Sequence, residues 1–399
     1  MSLTQTTILD ATSEAGPGFQ TESVITVSSA HAVHDTYSAF LAPLLPLLIA
    51  NLSLTKTAAG LLTVFYQGPS LLQPLIGHLA DRYNLRPLVI MAPTVAAALF
   101  TLVGLAPSYG LLVLLLVVAG FNSAGLHAVG PVLAGVLSGK RLGRGMSFWM
   151  VGGELGRTFG PLITVAAVTY LTPRGLPALI PGGIVASVMV YLGLRRVPDH
   201  RLPSANLLDW KAGLTRLRPI LLPLAAVIAA RAMLVMALST FLPTFLTEKG
   251  ASLWLAGGSL SVMEAAGVAG ALFGGSLSDR LGRRRVLVSM SLAAPLAALA
   301  FLNLPGWAQF PLLLLVGLTL LSTTPVLMAL VQERAPGSRA LANGIFMALN
   351  FTITSLAVVM VGFLGDRLGL QTAFTISTLV MLAGLPFVFL LTARKLETL

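Results

Sequence analysis

Gly77-His78-Leu79-Ala80-Asp81-Arg82-Tyr83-Asn84-Leu85-Arg86-Pro87 returns in a second version as Gly275-Ser276-Leu277-Ser278-Asp279-Arg280-Leu281-Gly282-Arg283-Arg284-Arg285. Each copy follows the second apolar run of its half of the chain and precedes the third. A Gly-x-Leu-x-Asp-Arg hexapeptide therefore sits twice where a helix ends in a short basic turn, and the chain reads as two copies of one plan. An aspartate in that place caps a neighbouring helix or pairs with arginine, while the arginines hold the turn on one side of a membrane. Asn84 and Gly282 occupy matching turn positions, and both residue types tolerate a left-handed backbone.

Composition narrows the class. Of the 399 residues, 56% are hydrophobic and 10% charged, whereas a soluble globular domain carries about 25% charged residues. That is the composition of a polytopic membrane protein. The absence of cysteine excludes disulfides, thiolate metal sites and thiol catalysis. The net charge of +11 fits either nucleic acid or anionic lipid, so the positions of the basic residues have to decide. With the amino terminus placed in the cytoplasm, Arg82, Arg86, Arg144, Arg195, Arg196, Arg218, Arg280 and Arg283 to Arg285, among others, fall inside. Lys56, Arg174, Lys249 and Arg367 fall outside. The positive-inside rule then puts both termini in the cytoplasm and the chain in a bacterial-type inner membrane, with the bilayer rather than nucleic acid as its partner.

Apolar runs of about the 20 residues a helix needs to cross a bilayer start near 27, 57, 87, 109, 145 and 175, and again near 218, 253, 285, 308, 340 and 370. Residues 1–26 contain Asp10, Glu14 and Glu22 but no Lys or Arg, lack the basic start of a secretory signal, and are expected as a disordered cytoplasmic tail. Residues 27–196 form a first six-helix bundle, 197–217 a cytoplasmic linker with a short interfacial helix, 218–393 a second bundle, and 394–399 a cytoplasmic tail. Ser123-Ala124-Gly125 matches Ser322-Thr323-Thr324, and Gly145-Met146 matches Gly344-Ile345, so the repeat is collinear beyond its loop. The expected fold is an all-α membrane protein of twelve helices, two bundles about a pseudo-two-fold axis with a central cavity, acting as a monomer by rocking of one bundle against the other.

The doubled loop at matched depth resembles the signature of the major facilitator superfamily of secondary transporters, from about residue 27 onward. That resemblance implies a cytoplasmic gate built on Gly77, Asp81, Arg82, Arg86, Gly275, Asp279, Arg280 and Arg283. Gly152, Gly156 and Gly160-Pro161 place small residues at four-residue spacing, which lets another helix approach closely. They also resemble the first part of a motif of the drug-proton antiporters, although Thr164 and Val165 stand where a glycine pair is usual. His31-x-x-His34-Asp35-x-Tyr37, Pro43-Leu44-Leu45-Pro46, Leu72 to Gly77 and Ser123 to His127 resemble the fosmidomycin-resistance branch, whose members export drugs. Ala128 and Val129 depart from that branch, as do Glu154 and Arg157, which replace uncharged residues.

Ionisable groups inside a bilayer are costly and mark pathways. Asp35, Glu154 and Glu264 are the expected proton carriers. Arg157 and Arg231, one from each bundle, are expected to converge on the negative part of a substrate, since guanidinium grips carboxylate or phosphonate in bidentate fashion. Glu264 is either the counter-ion of Arg231 or a further proton site. Glu154 and Arg157 also read as a plain intrahelical pair. His31, His34, His127, Tyr37, Tyr66 and Trp149 are expected to line the substrate path, with the remaining aromatics packing or facing lipid. The function expected is export of an amphipathic or anionic organic compound, drug-like or phosphonate-like, in exchange for protons. The rivals are a lysophospholipid or lipid-anion transporter, a divalent-metal exporter using His31, Asp35 and His127, and a non-transporting receptor. No catalytic constellation, ATP-binding loop, cofactor or resident metal site is expected.

Overall fold

The computed structural model describes residues 18–80, 83–197, 210–304, 306–334 and 339–393. Its elements are helices that run back and forth, as backbone groups in lipid require. The first half comprises α1 (Thr21–Ser38), α2 (Leu41–Leu52), α3 (Lys56–Gln67), α4 (Gln73–Ala80), α5 (Arg86–Val103), α6 (Tyr109–Leu137), α7 (Leu142–Leu171) and α8 (Ile180–Leu194). The second comprises α9 (Trp210–Glu248), α10 (Leu253–Leu281), α11 (Arg283–Asn303), α12 (Gln309–Glu333), α13 (Arg339–Leu368), α14 (Leu370–Ala383) and α15 (Leu385–Leu391). They make twelve passes, because α1 with α2, α3 with α4, and α14 with α15 each form one. Among the described residues, ten passes are long and apolar enough to cross a membrane. Each broken pass has a proline near its joint: Pro43 cannot donate to the Ala39 carbonyl, Gly68-Pro69 opens a 3-10 turn, and Pro386 follows Gly384.

Two boundaries differ from those read in the sequence. The first helix starts at Thr21, inside the stretch expected as tail, because the Gln20 N–H is held by the Leu137 carbonyl at 3.0 Å and Glu22 favours the first turn. Residues 198–209 of the expected linker lie outside the described residues, and among the described ones no separate helix precedes α9. Residues from Trp210 onward are the start of α9 itself, which continues through Pro219, Pro223 and Pro243.

The apolar core shows how the halves relate. At the end that holds Lys56 and Lys249, one cluster runs through both halves, from Phe40, Leu44 and Phe100 to Phe241, Phe301 and Phe374. At the opposite end it splits into a first-half cluster around Val27 and Leu126 and a second-half cluster around Leu224 and Leu327. The halves meet where α2 lies against α9, α3 against α13 and α7 against α10. They are joined at the Lys56 end and part toward the Arg283 end.

A polar joint reinforces that closed end. Asp366, in the last turn of α13, accepts the Lys56 N–H at 2.7 Å, the Thr57 N–H at 2.9 Å and the Thr57 hydroxyl at 2.6 Å. Lys56 and Thr57 open α3, whose own cap, Thr55, accepts the Ala58 N–H. A carboxylate of one half thus fills the electropositive helix N-terminus of the other. Lys56 Nζ also reaches Glu248 Oε1 at 2.9 Å.

Within the first half, α7 lies against α1 at backbone distance. A Cβ on Gly152 would collide with the Ser28 carbonyl, one on Gly156 with the Ala32 carbonyl, and one on Gly160 with the Thr36 carbonyl. The glycine spacing of α7 is thus answered turn for turn along α1.

Two outcomes follow from these contacts. Gly156→Ala should cost about 1–3 kcal/mol by overpacking and lower the thermal midpoint in detergent, whereas Gly77→Ala, which meets nothing within 4 Å in this conformation, should leave it unchanged or raise it. Asp366→Ala should weaken the closed end by about 1–2 kcal/mol, roughly a tenfold shift in population. Spin labels at Asn51→Cys and Leu368→Cys would report this as a growing long-distance fraction, without background because the chain has no cysteine.

Candidate substrate and coupling site

Between the halves lies a cavity of ≈ 290 Å³ whose lining includes Ser38, Tyr66, Arg157, Met236, Thr240 and Glu264. Pockets for drug-sized ligands run from about 300 to 1,000 Å³, so this space suits a small organic molecule. Its charged wall is built on α7 and α10. Arg157 is ion-paired with Glu154 one turn earlier, and its Nε lies 3.9 Å from Oε2 of Glu264. One cation thus stands between a carboxylate of each half. The Arg157 side chain is 46% exposed against 13% for Glu154 and 12% for Glu264, so the guanidinium faces the open space while the acids back it.

The histidines form a second polar group, tucked between α1, α6 and α7. His31 stacks on Trp149 with ring centroids 3.9 Å apart and an 18° tilt, and its Nδ1 lies 2.9 Å from the Trp149 carbonyl. His31 Nε2 lies 3.2 Å from His127 Nε2 and 3.3 Å from Asp35 Oδ2. Asp35 Oδ1 is 2.8 Å from His34 Nδ1 and 3.9 Å from His127 Nε2. His127 Nδ1 lies 2.9 Å from the Ser123 carbonyl, and the Tyr66 hydroxyl, on the cavity wall, lies 3.3 Å from Ser123 Oγ. His31, Asp35 and His127 offer three ligand atoms within 4.8 Å of one another, a set able to hold a metal ion.

Other expected site residues are placed elsewhere. Arg231 does not converge with Arg157, nor is Glu264 its counter-ion. It is buried at 7% exposure and donates to the hydroxyls of Thr323 and Thr324 on α12, each at 2.6 Å. Those neutral acceptors satisfy a guanidinium that points along its own half rather than across to α7. The Tyr37 hydroxyl donates to the Leu179 carbonyl at 2.6 Å, which ties α1 to the segment before α8 and takes the ring out of the cavity lining. Trp149 is buried beneath His31. Of the three aromatics, Tyr66 is the one on the cavity wall.

The loop residues act within halves in this conformation. Asp81 and Arg82 lie outside the described residues. Arg86 donates to the Leu194 and Val197 carbonyls at 3.3 and 2.7 Å, fastening the start of α5 to the exposed carbonyls at the end of α8. Gly282 is left-handed with φ +90°, but Asn84 is not, because its side chain instead accepts the Arg86 N–H at 3.0 Å. Arg283 binds Asp279 at 2.6 Å, Glu333 at 2.8 Å and the Ser278 hydroxyl, which clamps the α10–α11 turn to α12. Arg280 is exposed in the last turn of α10, and Gly275, like Gly77, has nothing within 4 Å of a Cβ position. The joint across the halves falls to Asp366, Lys56 and Glu248, which sequence reasoning did not single out. The signal was present in Gly362-Phe363-Leu364-Gly365-Asp366-Arg367-Leu368-Gly369, which repeats the Gly-x-Leu-x-Asp-Arg-Leu-Gly of the second loop copy.

Comparison with known proteins agrees with this architecture. The family model of the Major Facilitator Superfamily matches residues 27–352 and 265–398. The chain is 25% identical over 377 residues to the fosmidomycin resistance protein of Escherichia coli, covering 91% of each. It is 27% identical over 381 residues to the uncharacterized MFS-type transporter YfnC of Bacillus subtilis, covering 91% of this chain and 90% of that one. Its fold resembles the crystal structure of a bacterial homologue of the human lysosomal transporter Spinster, with a TM-score of 0.74 and 16% identity over 95% of this chain and 96% of that one. With twelve helical passes in two equivalent halves and the family pattern matched along nearly its whole length, the chain belongs to the major facilitator superfamily of membrane transporters.

Proposed function

We propose that this protein is a secondary active transporter of a bacterial inner membrane that exports an amphipathic or anionic organic compound in exchange for protons, working as a monomer with both termini in the cytoplasm. The observation that carries this reading is Arg157, exposed on the wall of the cavity between the halves and flanked by Glu154 and Glu264. A substrate carboxylate or phosphonate competes with the two glutamates for the guanidinium. The displaced glutamate is ionised and accepts from a donor group of the substrate, and protonation of that glutamate removes the acceptor and releases the substrate, so proton and substrate occupy the cluster in turn, as exchange requires. Glu264 belongs to the second half and Glu154 to the first, so the charge state of this cluster also bears on how the halves are held together. Apolar neighbours such as Met236 and Leu260 take the hydrophobic part of an amphipathic molecule.

The positive-inside assignment puts the Arg283 end in the cytoplasm. The parted core at that end then corresponds to an inward-open state, and the Asp366 joint to a closed outer gate. Kinship with a protein named for fosmidomycin resistance supports a drug-like or phosphonate-like substrate.

In liposomes containing the purified protein, a phosphonate or lipophilic anion should produce a proton signal. Glu154→Gln and Glu264→Gln should each abolish the coupled flux while the protein stays folded. A proton signal unchanged in both variants would sink this assignment. Arg157→Ala should weaken substrate binding by roughly 10- to 100-fold, the loss of a charge-assisted contact of about 1.5–3 kcal/mol, and Arg157→Lys should restore part of it. Isothermal titration with the same compound measures both.

A further inference from the structure

We infer that His31, Asp35 and His127 form a binding site for one divalent transition-metal ion. The inference starts from where the protons must be. A neutral imidazole has one N–H. In His31 the Nδ1 faces the Trp149 carbonyl at 2.9 Å, and in His127 it faces the Ser123 carbonyl at 2.9 Å. A carbonyl only accepts, so in the neutral form of each ring the hydrogen sits on Nδ1 and Nε2 presents its lone pair. Those Nε2 atoms lie 3.2 Å apart, with Asp35 Oδ2 at 3.3 Å from His31 Nε2 and Oδ1 at 3.9 Å from His127 Nε2. With both rings neutral, three acceptors converge with no donor among them, an arrangement that a bound cation relieves.

The spacing suits a metal ion. Bonds of about 2.0–2.1 Å at tetrahedral angles separate ligand atoms by about 3.3 Å, and the separations of His31 Nε2 from His127 Nε2 and from Asp35 Oδ2 match that edge. Each ligand is also held from behind, as metal ligands require. The Trp149 carbonyl and ring orient His31, the Ser123 carbonyl orients His127, and His34 Nδ1 at 2.8 Å orients Asp35. His31 and Asp35 are 5% and 8% exposed, whereas the His127 side chain is 30% exposed, which leaves an open position for water or another ligand. Two imidazoles and one carboxylate select Zn²⁺, Co²⁺ or Ni²⁺ over Mg²⁺ or Ca²⁺. His31 and Asp35 are successive turns of α1 and His127 comes from α6, so the ion would tie the two helices together.

The test is direct binding to the full chain, with any histidine tag removed and the protein stripped with chelator. Zn²⁺ is titrated in competition with a chromophoric chelator, and Co²⁺ is followed by its visible absorption. The expected result is one ion per chain, binding weakened more than about tenfold in His127→Ala and in Asp35→Asn, and a Zn²⁺-dependent rise in thermal midpoint in the wild type that His127→Ala lacks. Because the thermal scan also reports whether each variant is folded, a misfolded variant is replaced by His31→Gln. Wild-type protein that binds no Zn²⁺ or Co²⁺, or that binds them equally well without His31 and His127, would overturn the assignment. The cation between the imidazoles would then be a shared proton. None of these measurements depends on transport, so they stand apart from the proton-exchange reading.

Discussion

The close approach of α7 to α1 is the constraint on which the polar interior depends. Gly152, Gly156 and Gly160 bring the two backbones into contact along three turns, with the carbonyls of Ser28, Ala32 and Thr36 filling the space a Cβ would need. That contact slides the Trp149 carbonyl and ring under His31. It also sets the side of α7 that carries Glu154 and Arg157 toward α10 and the cavity. Small residues at a helix crossing usually read as packing alone. Here the packing decides which polar groups meet: one face of α7 supports the histidine cluster and the next supplies the charges between the halves.

The two polar groups differ in how they bind the fold together. The histidine cluster lies within the first half, where His31 and His127 are anchored to backbone carbonyls of α7 and α6. The Arg157 cluster spans the halves through a 3.9 Å approach to Glu264. In the proposed rocking of one half against the other, the first group would keep its shape while the second would register the position of the partner half.

Much of this was legible in the sequence because lipid leaves the chain few options. Twelve apolar runs, a doubled loop and an arginine bias suffice for the bundle, its symmetry and its family, since every spanning segment must satisfy its own backbone. Side-chain partners were less legible. The four-residue spacing of His31 and Asp35 puts them on one face of α1, but nothing in the spacing could bring His127 to them, because that depends on how α6 crosses α1. Arg231 was assigned to the cavity on charge alone, yet the Thr323-Thr324 pair offered it two hydroxyls nearer than any acid. Asn84 could have been left-handed, and its side-chain bond to Arg86 removed the need. Asp366 went unremarked because an acid at an exposed helix end reads as solvated surface. Its partner is a helix terminus in the other half, and helix termini carry no letter of their own.

The Asp366 joint has a consequence for the medium in which the protein works. Its carboxylate and the first turn of α3 both lie at solvent-accessible positions, so when they separate each is taken up by water and neither is stranded. An attraction of that kind between an anion and a helix end is screened by dissolved ions, whose reach at physiological strength is about 8 Å. In the proposed alternation between closed and open forms, the balance would therefore depend on the ionic strength bathing the Lys56 end, while the glycine-packed contact between α1 and α7 would be indifferent to it.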